Sequence, residues 1–384
     1  MTVSAKLVAW SVAATVCALA GCDRAHPEPR APATCRGLWI TRWDYRTADD
    51  VDRCLDAAAE LGATDVFWQV RGQADALYRS DLEPWSDLLG VGDPGFDPLD
   101  HAIARAHRRG LRLHAWVNVY PLWKGLAPPA AATHPLNRHP SWRLHDETGS
   151  PQPLNDHYVV ANPTDPAVQD HIAAVLRDLC ARFEIDGLHL DYVRFVSEGL
   201  DTARVWPGDP ASFDRWRAAG ASGDPTTAAG RTAYRAWIRD EITRLVARVA
   251  REGRAARPGL AVSAAVIRRP DRARDLYLQD AAAWLAAGHV DRLLPMIYTR
   301  DASSFADDLA AWRLAAPPSR LVAGIGVHLQ EPADLAPQLA ACAGAGGWSI
   351  FAFSSVAESV DPEQDDSPLA ARRRDRLRSI IAGF

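Results

Sequence analysis

The sequence has little of what metal sites and disulfide frameworks require. Six cysteines are spread over 384 residues without Cys-x-x-Cys or Cys/His spacing, so no zinc site is expected. His-x-His, His-Glu-x-x-His and Asp-x-Asp patterns are missing where the predicted strands end. A metal-dependent hydrolase stays open as a lesser alternative. It requires at least two of three histidines to converge on one point: His114, His189 and His328.

Motifs of two common enzyme classes are also missing. No predicted strand is followed by Gly-x-Gly-x-x-Gly or a phosphate loop, and GIGVHL at 324–329 lacks the third glycine. No Gly-x-Ser-x-Gly elbow is present, which argues against a serine hydrolase. No cofactor is therefore predicted.

The composition is that of an ordinary globular protein. A formal net charge of −5 gives no sign of a nucleic-acid surface. With 48% hydrophobic and 24% charged residues, the chain is long enough for one large domain or two medium ones. The 14 tryptophans are a high number, and exposed indoles are platforms for sugar rings, although many are expected to pack inside the fold.

The N-terminus has the order of features of a bacterial lipoprotein signal. Lys6 precedes an apolar run at 7–20, too short for a comfortable membrane span, and the run ends in LAGC at Cys22. We expect residues 1–21 to be a signal peptide, Cys22 to be acylated, and the Pro- and Ala-rich residues 22–35 to be a tether. An ordinary secretory signal with a chance cysteine is the alternative.

This interpretation predicts an exported lipoprotein in the cell membrane or the outer membrane, in contact with the membrane through its lipid anchor only. Export permits disulfides. The sequence leaves the oligomeric state open, and it leaves open the pairing of four cysteines: Cys35, Cys54, Cys180 and Cys342.

Strand-like and helix-like segments alternate from residue 36 onward. The strands are apolar on both faces, which is typical of a parallel sheet covered by helices. Eight such units indicate one (β/α)₈ TIM barrel over residues 36–384, with a doubly wound open sheet as the alternative. The predicted strands are 36–41, 64–70, 111–119, 186–191, 260–267, 290–298, 321–327 and 347–353. The predicted helices are 47–62, 97–110, 165–183, 230–256, 278–288, 303–315, 332–343 and 367–381.

The fourth predicted strand, DGLHLD, has a carboxylate at each end. Asp186 precedes Gly187 and is expected to serve as a turn or cap residue at the bottom of the barrel. Asp191 ends the strand at the mouth, where chemistry takes place in such barrels. Aromatic and basic neighbours make a functional role the better interpretation for Asp191.

Other polar and aromatic side chains follow the remaining strands, as a sugar site requires. Arg42 and Trp43 follow the first strand. Structural alternatives stay open: Arg71 as a core ion-pair partner, Asp75 and Asp301 as caps. The candidate substrate contacts are Arg71, Asp75, Trp116, Asn118, Tyr120, Tyr192, Arg194, Tyr298 and Glu331.

Five blocks in order resemble glycosyl-hydrolase-like family 10: RGLWIT, QVRGQADALYRSDLEPWS, GLRLHAWVNVY, ANPTDPAVQDHI and FEIDGLHLDYVRF. The resemblance implies an exported (β/α)₈ glycosidase of the cell envelope, often lipid-anchored, with peptidoglycan glycan strands as a known substrate class. The chain departs from the family pattern in two places. Tyr192 stands where a second Asp is common, and PMIYTRD at 295–301 replaces PQIYW.

Glycosidic cleavage needs one protonated and one ionised carboxyl group. Asp191 is the predicted nucleophile or base. The fifth strand carries no carboxylate, so the acid is sought elsewhere; Asp301 beside Tyr298 and Arg300 is preferred, with Asp75 and Glu331 as alternatives. A non-catalytic glycan-binding lipoprotein is the second hypothesis. A second carboxyl group within about 5 to 10 Å of Asp191 favours catalysis.

The lipid anchor is directly testable. We expect Cys22→Ser to leave an unlipidated precursor, because only the Cys22 thiol can accept the lipid after LAG. Metabolic labelling with a radioactive fatty acid measures this. Label incorporated into the Cys22→Ser protein at the wild-type level would contradict the assignment.

Overall fold

The computed structural model describes residues 34–90, 92–195, 199–358, 360–361 and 367–382. The expected signal peptide, Cys22 and nearly all of the tether lie outside these residues. Eight parallel strands form a closed barrel in the order β1-β10-β9-β8-β7-β6-β3-β2. They are β1 Cys35–Ile40, β2 Asp65–Arg71, β3 Arg112–Asn118, β6 Gly187–Asp191, β7 Ala261–Ile267, β8 Arg292–Ile297, β9 Val322–Gly326 and β10 Gly347–Phe351.

Closure is made by β1, which pairs with both β2 and β10. This confirms the predicted TIM barrel over the open sheet. A further antiparallel pair, β4 Pro121–Gly125 and β5 Asn155–Val160, stands outside the barrel sheet.

Helices follow the barrel strands as the alternating pattern predicts. The helices among the described residues are α1 Ala48–Glu60, α2 Pro98–Arg108, α3 Pro135–Arg138, α4 Pro166–Arg182, α5 Pro210–Ala218, α6 Ala228–Ala256, α7 Pro270–Asp275, α8 Ala281–Ala286, α9 Ala302–Ala315, α10 Leu335–Ala341 and α11 Ser367–Ile381. Within the described ranges, none of these helices is both long enough and apolar enough to cross a membrane.

Side chains alternate between the two faces of each strand and so form two apolar layers. One set of side chains packs against the helices in a large core. The other fills the barrel itself, where the Trp39 ring lies 4.8 Å from the Trp116 ring, edge to face. Gly37 leaves room for Phe67, since a Cβ at residue 37 would lie 2.7 Å from the Phe67 ring. The barrel interior is therefore a packed core, and in such barrels ligands bind at the mouth.

Hydrogen bonds repeat at the bottom of the barrel, just before three strands. Asp186 accepts the N–H of Leu113 at 2.8 Å and donates its own N–H to the Leu113 carbonyl. Asp291 makes the same exchange with Val262. Thr64 does so with Arg36, through its hydroxyl. A polar residue before a strand thus binds the neighbouring strand, and this places Asp186 in a structural position away from the mouth.

The four cysteines of the described region are buried free thiols. Burial raises the pKa of each thiol, to about 12 for Cys180 and Cys342. No disulfide therefore joins the four described cysteines, Cys35, Cys54, Cys180 and Cys342.

Five elements are not predicted by the sequence pattern: the strands β4 and β5 and the short helices α3, α5 and α7. The two strands of the pair are separated by about 30 residues and lack the tight-turn residues that mark a hairpin. The three helices have four to nine residues, too short for a clear period of 3.6.

The bonds at the bottom of the barrel predict matched losses of stability. Asp186→Ala and Asp291→Ala each remove an acceptor from a strand N–H, which should lower the free energy of unfolding by about 1 to 2 kcal/mol. Guanidinium denaturation measures this. Asp56→Ala removes only an exposed ion pair with Arg109 and is the control, with a change of about 0.5 kcal/mol or less. Equal stability of all three variants would contradict the role of these bonds.

Candidate active site

Asp191 lies where β6 ends at the mouth, beside Asn118 of β3. Its carbonyl accepts the N–H of Val119 at 2.8 Å, which joins the ends of the two strands. Its carboxylate accepts the N–H of Tyr192 at 2.6 Å and a bond from Nη1 of Arg194 at 2.9 Å. Only 4% of Asp191 is exposed. These donors fix the orientation of the carboxylate in a nearly buried position.

The turn after Asp191 is strained. Tyr192 has φ of 49°, a left-handed conformation that a residue with a large side chain rarely adopts. The Arg194 guanidinium lies 4.1 Å from the centre of the Tyr192 ring. Strain of this kind is found at functional sites, where the surrounding structure holds it in place.

Two groups close to Asp191 present hydrogen-bonding atoms without a partner among the described residues. The Nδ2 of Asn118 donates to the Gly72 carbonyl at 3.0 Å, which leaves its Oδ1 buried and unpaired. The Tyr298 hydroxyl is also buried and unpaired. Burial raises the pKa of Tyr298, and the charge of Asp191 raises it further, so the hydroxyl keeps its proton. Tyr298 stacks on Phe351 at 5.1 Å.

Tyr158 brings the outer strand β5 into the site. Its ring meets the Tyr192 ring at 5.0 Å, edge to face. Burial raises the pKa of the Tyr158 hydroxyl; Arg42 opposes this, and the charges of Asp191 and Asp75 add to it. Both carboxylates therefore lie near one hydroxyl group. Asp75 is nearly buried and accepts the N–H of Gln73 at 3.0 Å.

Arg71 has the structural role that the sequence left open. It makes two bonds of 2.8 Å to Glu83, and His171 contacts the same carboxylate at 3.0 Å. Its Nη1 also donates to the carbonyls of Asn118 and Val119. Arg71 thus holds the end of β3 in place, and its guanidinium is fully engaged.

The remaining candidate contacts are not gathered at Asp191. Tyr120 is buried in the core between barrel and helices, and Trp116 packs inside the barrel against Trp39. Glu331 is an exposed residue shortly before α10. The positions of these three side chains do not support the predicted contacts with a sugar at Asp191.

Asp301 caps α9. Its carboxylate accepts the N–H of Ser304 at 2.7 Å, at the solvent-exposed start of the helix. Hydrogen bonds from Ser304 lower the pKa of Asp301. A general acid needs a raised pKa. The structure therefore favours the capping role over the acid role preferred from the sequence.

The histidines of the metal alternative occupy three levels of the barrel. His114 contacts Asp65 at 2.9 Å near the bottom, His189 contacts Ser263 at 2.8 Å inside, and His328 lies beside Phe351 near the mouth. Across the described ranges, no three His, Cys, Asp or Glu side chains are grouped so as to hold a metal ion.

Comparison with known proteins gives the family. The family model described as glycosyl hydrolase-like 10 matches residues 34–328. The chain belongs to this family. The resemblance seen in the five sequence blocks is thereby confirmed.

Two curated relatives carry glycosyl hydrolase names. Glycosyl hydrolase DigH of Escherichia coli K12 is 28% identical over 315 residues, which cover 74% of this chain and 66% of DigH. Glycosyl hydrolase YngK of Bacillus subtilis is 26% identical over 275 residues, which cover 64% of this chain and 48% of YngK. The chain therefore spans just under two thirds of the first relative and about half of the second.

Solved structures share the fold. The PgaB (BpsB) glycoside hydrolase domain from Bordetella bronchiseptica has a TM-score of 0.65 at 13% identity, covering 90% of this chain and 98% of that domain. Alpha-L-fucosidase isoenzyme 2 from Paenibacillus thiaminolyticus has a TM-score of 0.60 at 14% identity, covering 91% and 49%. At this identity the likeness establishes the barrel architecture.

The buried pair of Arg71 and Glu83 predicts a pH-dependent stability. Burial raises the pKa of Glu83, but the charge of Arg71 and hydrogen bonds from His171 and Arg71 outweigh burial and lower the pKa to about 2. A lowered pKa stabilises the fold above the unfolded value of about 4.5, and this contribution is lost as the pH falls towards 2.

Glu83→Gln should therefore destabilise the protein by about 3 to 5 kcal/mol near pH 7, because Arg71 is left buried without its counter-charge. The difference from wild type should shrink between pH 4.5 and 2. Urea denaturation across this pH range measures it, and a difference that stays constant down to pH 2 would contradict the role of Glu83.

Proposed function

We propose that the protein is a cell-envelope glycoside hydrolase that cleaves peptidoglycan glycan strands or a related polysaccharide. The observation that carries the proposal is Asp191, a nearly buried carboxylate at the mouth of a barrel of this family. Aromatic rings and unpaired hydrogen-bonding groups surround it, as a sugar site requires. The lipobox at Cys22 supports an exported, lipid-anchored form.

Asp191 acts as the nucleophile, or as the base that activates water. The N–H of Tyr192 and the guanidinium of Arg194 hold its carboxylate in one orientation. Both donors bind the same oxygen, Oδ1, so the second oxygen is the one that faces the reacting carbon or water.

Asp75 is the general acid in this proposal. Like Asp191 it lies close to the Tyr158 hydroxyl, and it is shielded from solvent. Glycosidic cleavage uses a pair of carboxyl groups that flank the bond, and these two lie near one hydroxyl group. The proton passes from Asp75 to the leaving oxygen while Asp191 attacks or activates water from the other side of the sugar ring.

Asn118 and Tyr298 bind the sugar beside the bond that is cut. The orientation of the Asn118 amide is set by Gly72, so its Oδ1 accepts a bond from a hydroxyl or amide N–H of the substrate. The Tyr298 hydroxyl donates, since it remains protonated.

A non-catalytic glycan-binding protein is the second candidate. The capping position of Asp301 favours it, because the acid preferred from the sequence is occupied in holding a helix. The effect of substituting Asp75 distinguishes the two candidates, since a binding protein has no need of a proton donor at this position.

The test compares three substitutions on stripped and on peptide-bearing peptidoglycan, with mass analysis of the released sugars. Asp191→Asn keeps the shape and removes the charge, so we expect turnover to fall by about 10³-fold or more. Asp75→Asn should reduce turnover most on natural glycans and least on activated aryl glycosides, whose leaving groups need little protonation. Asp301→Asn is the control and should retain activity.

Near-normal turnover of Asp191→Asn on every glycan would overturn the mechanism. Binding of glycan without release of sugars by the wild type would support the second candidate. Loss of activity in Asp301→Asn at unchanged stability would return the acid role to Asp301.

A further inference from the structure

Arg42, just past the end of β1, is a buried cation that makes no direct ion pair with the described residues, although the carboxylates of Asp75 and Asp191 lie near the same Tyr158 hydroxyl. Only 2% of Arg42 is exposed, and its Nε and Nη1 make no hydrogen bond with the described residues. Its Nη2 makes two long bonds of 3.4 Å, to the Gln73 side chain and the Tyr158 hydroxyl. Both partners are neutral. A buried charge is normally retained only when it is paired.

Two other buried arginines follow that rule. Arg71 pairs with Glu83, and Arg194 pairs with Asp191. Arg42 makes no ion pair within the part of the chain that the structure describes. The guanidinium therefore has donors left for an anionic group of a ligand.

A second unpaired cation faces the same indole ring. The Arg42 guanidinium lies 4.5 Å from the centre of the Trp43 ring, and the Lys124 ammonium lies 5.7 Å from it. Trp43 is half-buried and Lys124 is exposed. Lys124 has no ion pair among the described residues, and the chain contains only one other lysine, Lys6. The Trp43 ring is therefore partly exposed and has a cation from each of two side chains next to it.

The position of Arg42 is built into the mouth. Gly72 packs directly against the guanidinium, and a Cβ at residue 72 would overlap it. The carbonyl of Gly72 accepts the bond from Asn118, the neighbour of Asp191. The N–H of Arg42 also donates to the side chain of Gln69 at 2.9 Å. Arg42 is thus fixed to the same strand ends that carry the candidate catalytic carboxylate.

We propose that Arg42, Trp43 and Lys124 form a subsite for an acidic sugar, in which the two cations bind a carboxylate and the Trp43 ring stacks on the sugar. This rests on the proposed glycoside hydrolase function and specifies its substrate as a glycan whose sugars carry free carboxylates. The guanidinium fork matches a carboxylate in two parallel bonds. The weak bonds from Nη2 to Gln73 and Tyr158 are the ones that the carboxylate replaces.

The first experiment compares each glycan with its carboxyl-reduced form, in which the acid has become an alcohol. Two acidic glycans are used. One is a stripped peptidoglycan strand, whose carboxylate is on a lactyl ether, and the other is a uronic acid oligosaccharide. We expect Arg42→Gln to lower kcat/KM on the preferred acidic glycan by about 10- to 100-fold and to leave the reduced glycan within about 3-fold. Arg53→Gln, on the exposed face of α1, is the matched control.

Stability separates this role from a structural one. Arg42→Gln removes an unpaired buried charge, so its unfolding midpoint without ligand should be equal to or higher than that of wild type. A lowered midpoint together with equal losses on acidic and reduced glycans would overturn the subsite.

The second experiment reads binding without catalysis. Lys124 is the only lysine past Lys6, so reductive methylation followed by peptide mass analysis reports on this one amine. In the Asp191→Asn protein, the acidic glycan should slow methylation of Lys124 and the reduced glycan should not. Equal protection by both would contradict the proposal. Protection without cleavage by wild type would leave the subsite standing and remove the hydrolase function.

Discussion

The register between β3 and β6 determines what meets at the mouth of this barrel. Five Cα pairs join the two strands, from His114 opposite Gly187 to Asn118 opposite Asp191. A shift by one residue would turn Asp191 towards the helices and Leu190 towards the interior. The register is secured at both ends, by Asp186 at the bottom and by the Val119 N–H at the top. The chemistry proposed for the mouth therefore depends on hydrogen bonds at the opposite end of the same strands.

Buried charged side chains occur at three levels of the fold, and each level differs in how the charge is paired. At the bottom, Arg112 neutralises Asp65, and His114 makes a hydrogen bond with the same carboxylate. Residue 187 is a glycine there, since a Cβ would overlap the His114 ring. Beside the barrel, Glu83 neutralises Arg71, which supports the end of β3. At the mouth, Arg42 makes no ion pair with the residues that the structure describes.

The strands could be predicted from the sequence because apolar runs of four to eight residues recur between helical patterns, and the barrel follows from their number. The site was only partly predictable. Asp191 and Asn118 stand at strand ends, which parallel pairing must bring together. The pairing of Arg71 with Glu83 depends on the conformation of the loop between them, which sequence spacing does not predict. Tyr158 belongs to β5, a strand that the sequence pattern did not predict. For Asp301 the signal was present, since an Asp three residues before Ser304 at the start of a helix is a capping pattern.

The burial of the four thiols has a consequence for how the protein can be observed. A thiol reacts as its thiolate, and a pKa of about 12 at Cys180 and Cys342 leaves almost none of that form at neutral pH. Cys35 lies in β1, Cys54 in α1, Cys180 in α4 and Cys342 just after α10, so the four are spread around the barrel. Alkylation at each position can proceed only through an opening that exposes it. The rate at each thiol therefore records how often that sector of the barrel opens, without any introduced probe.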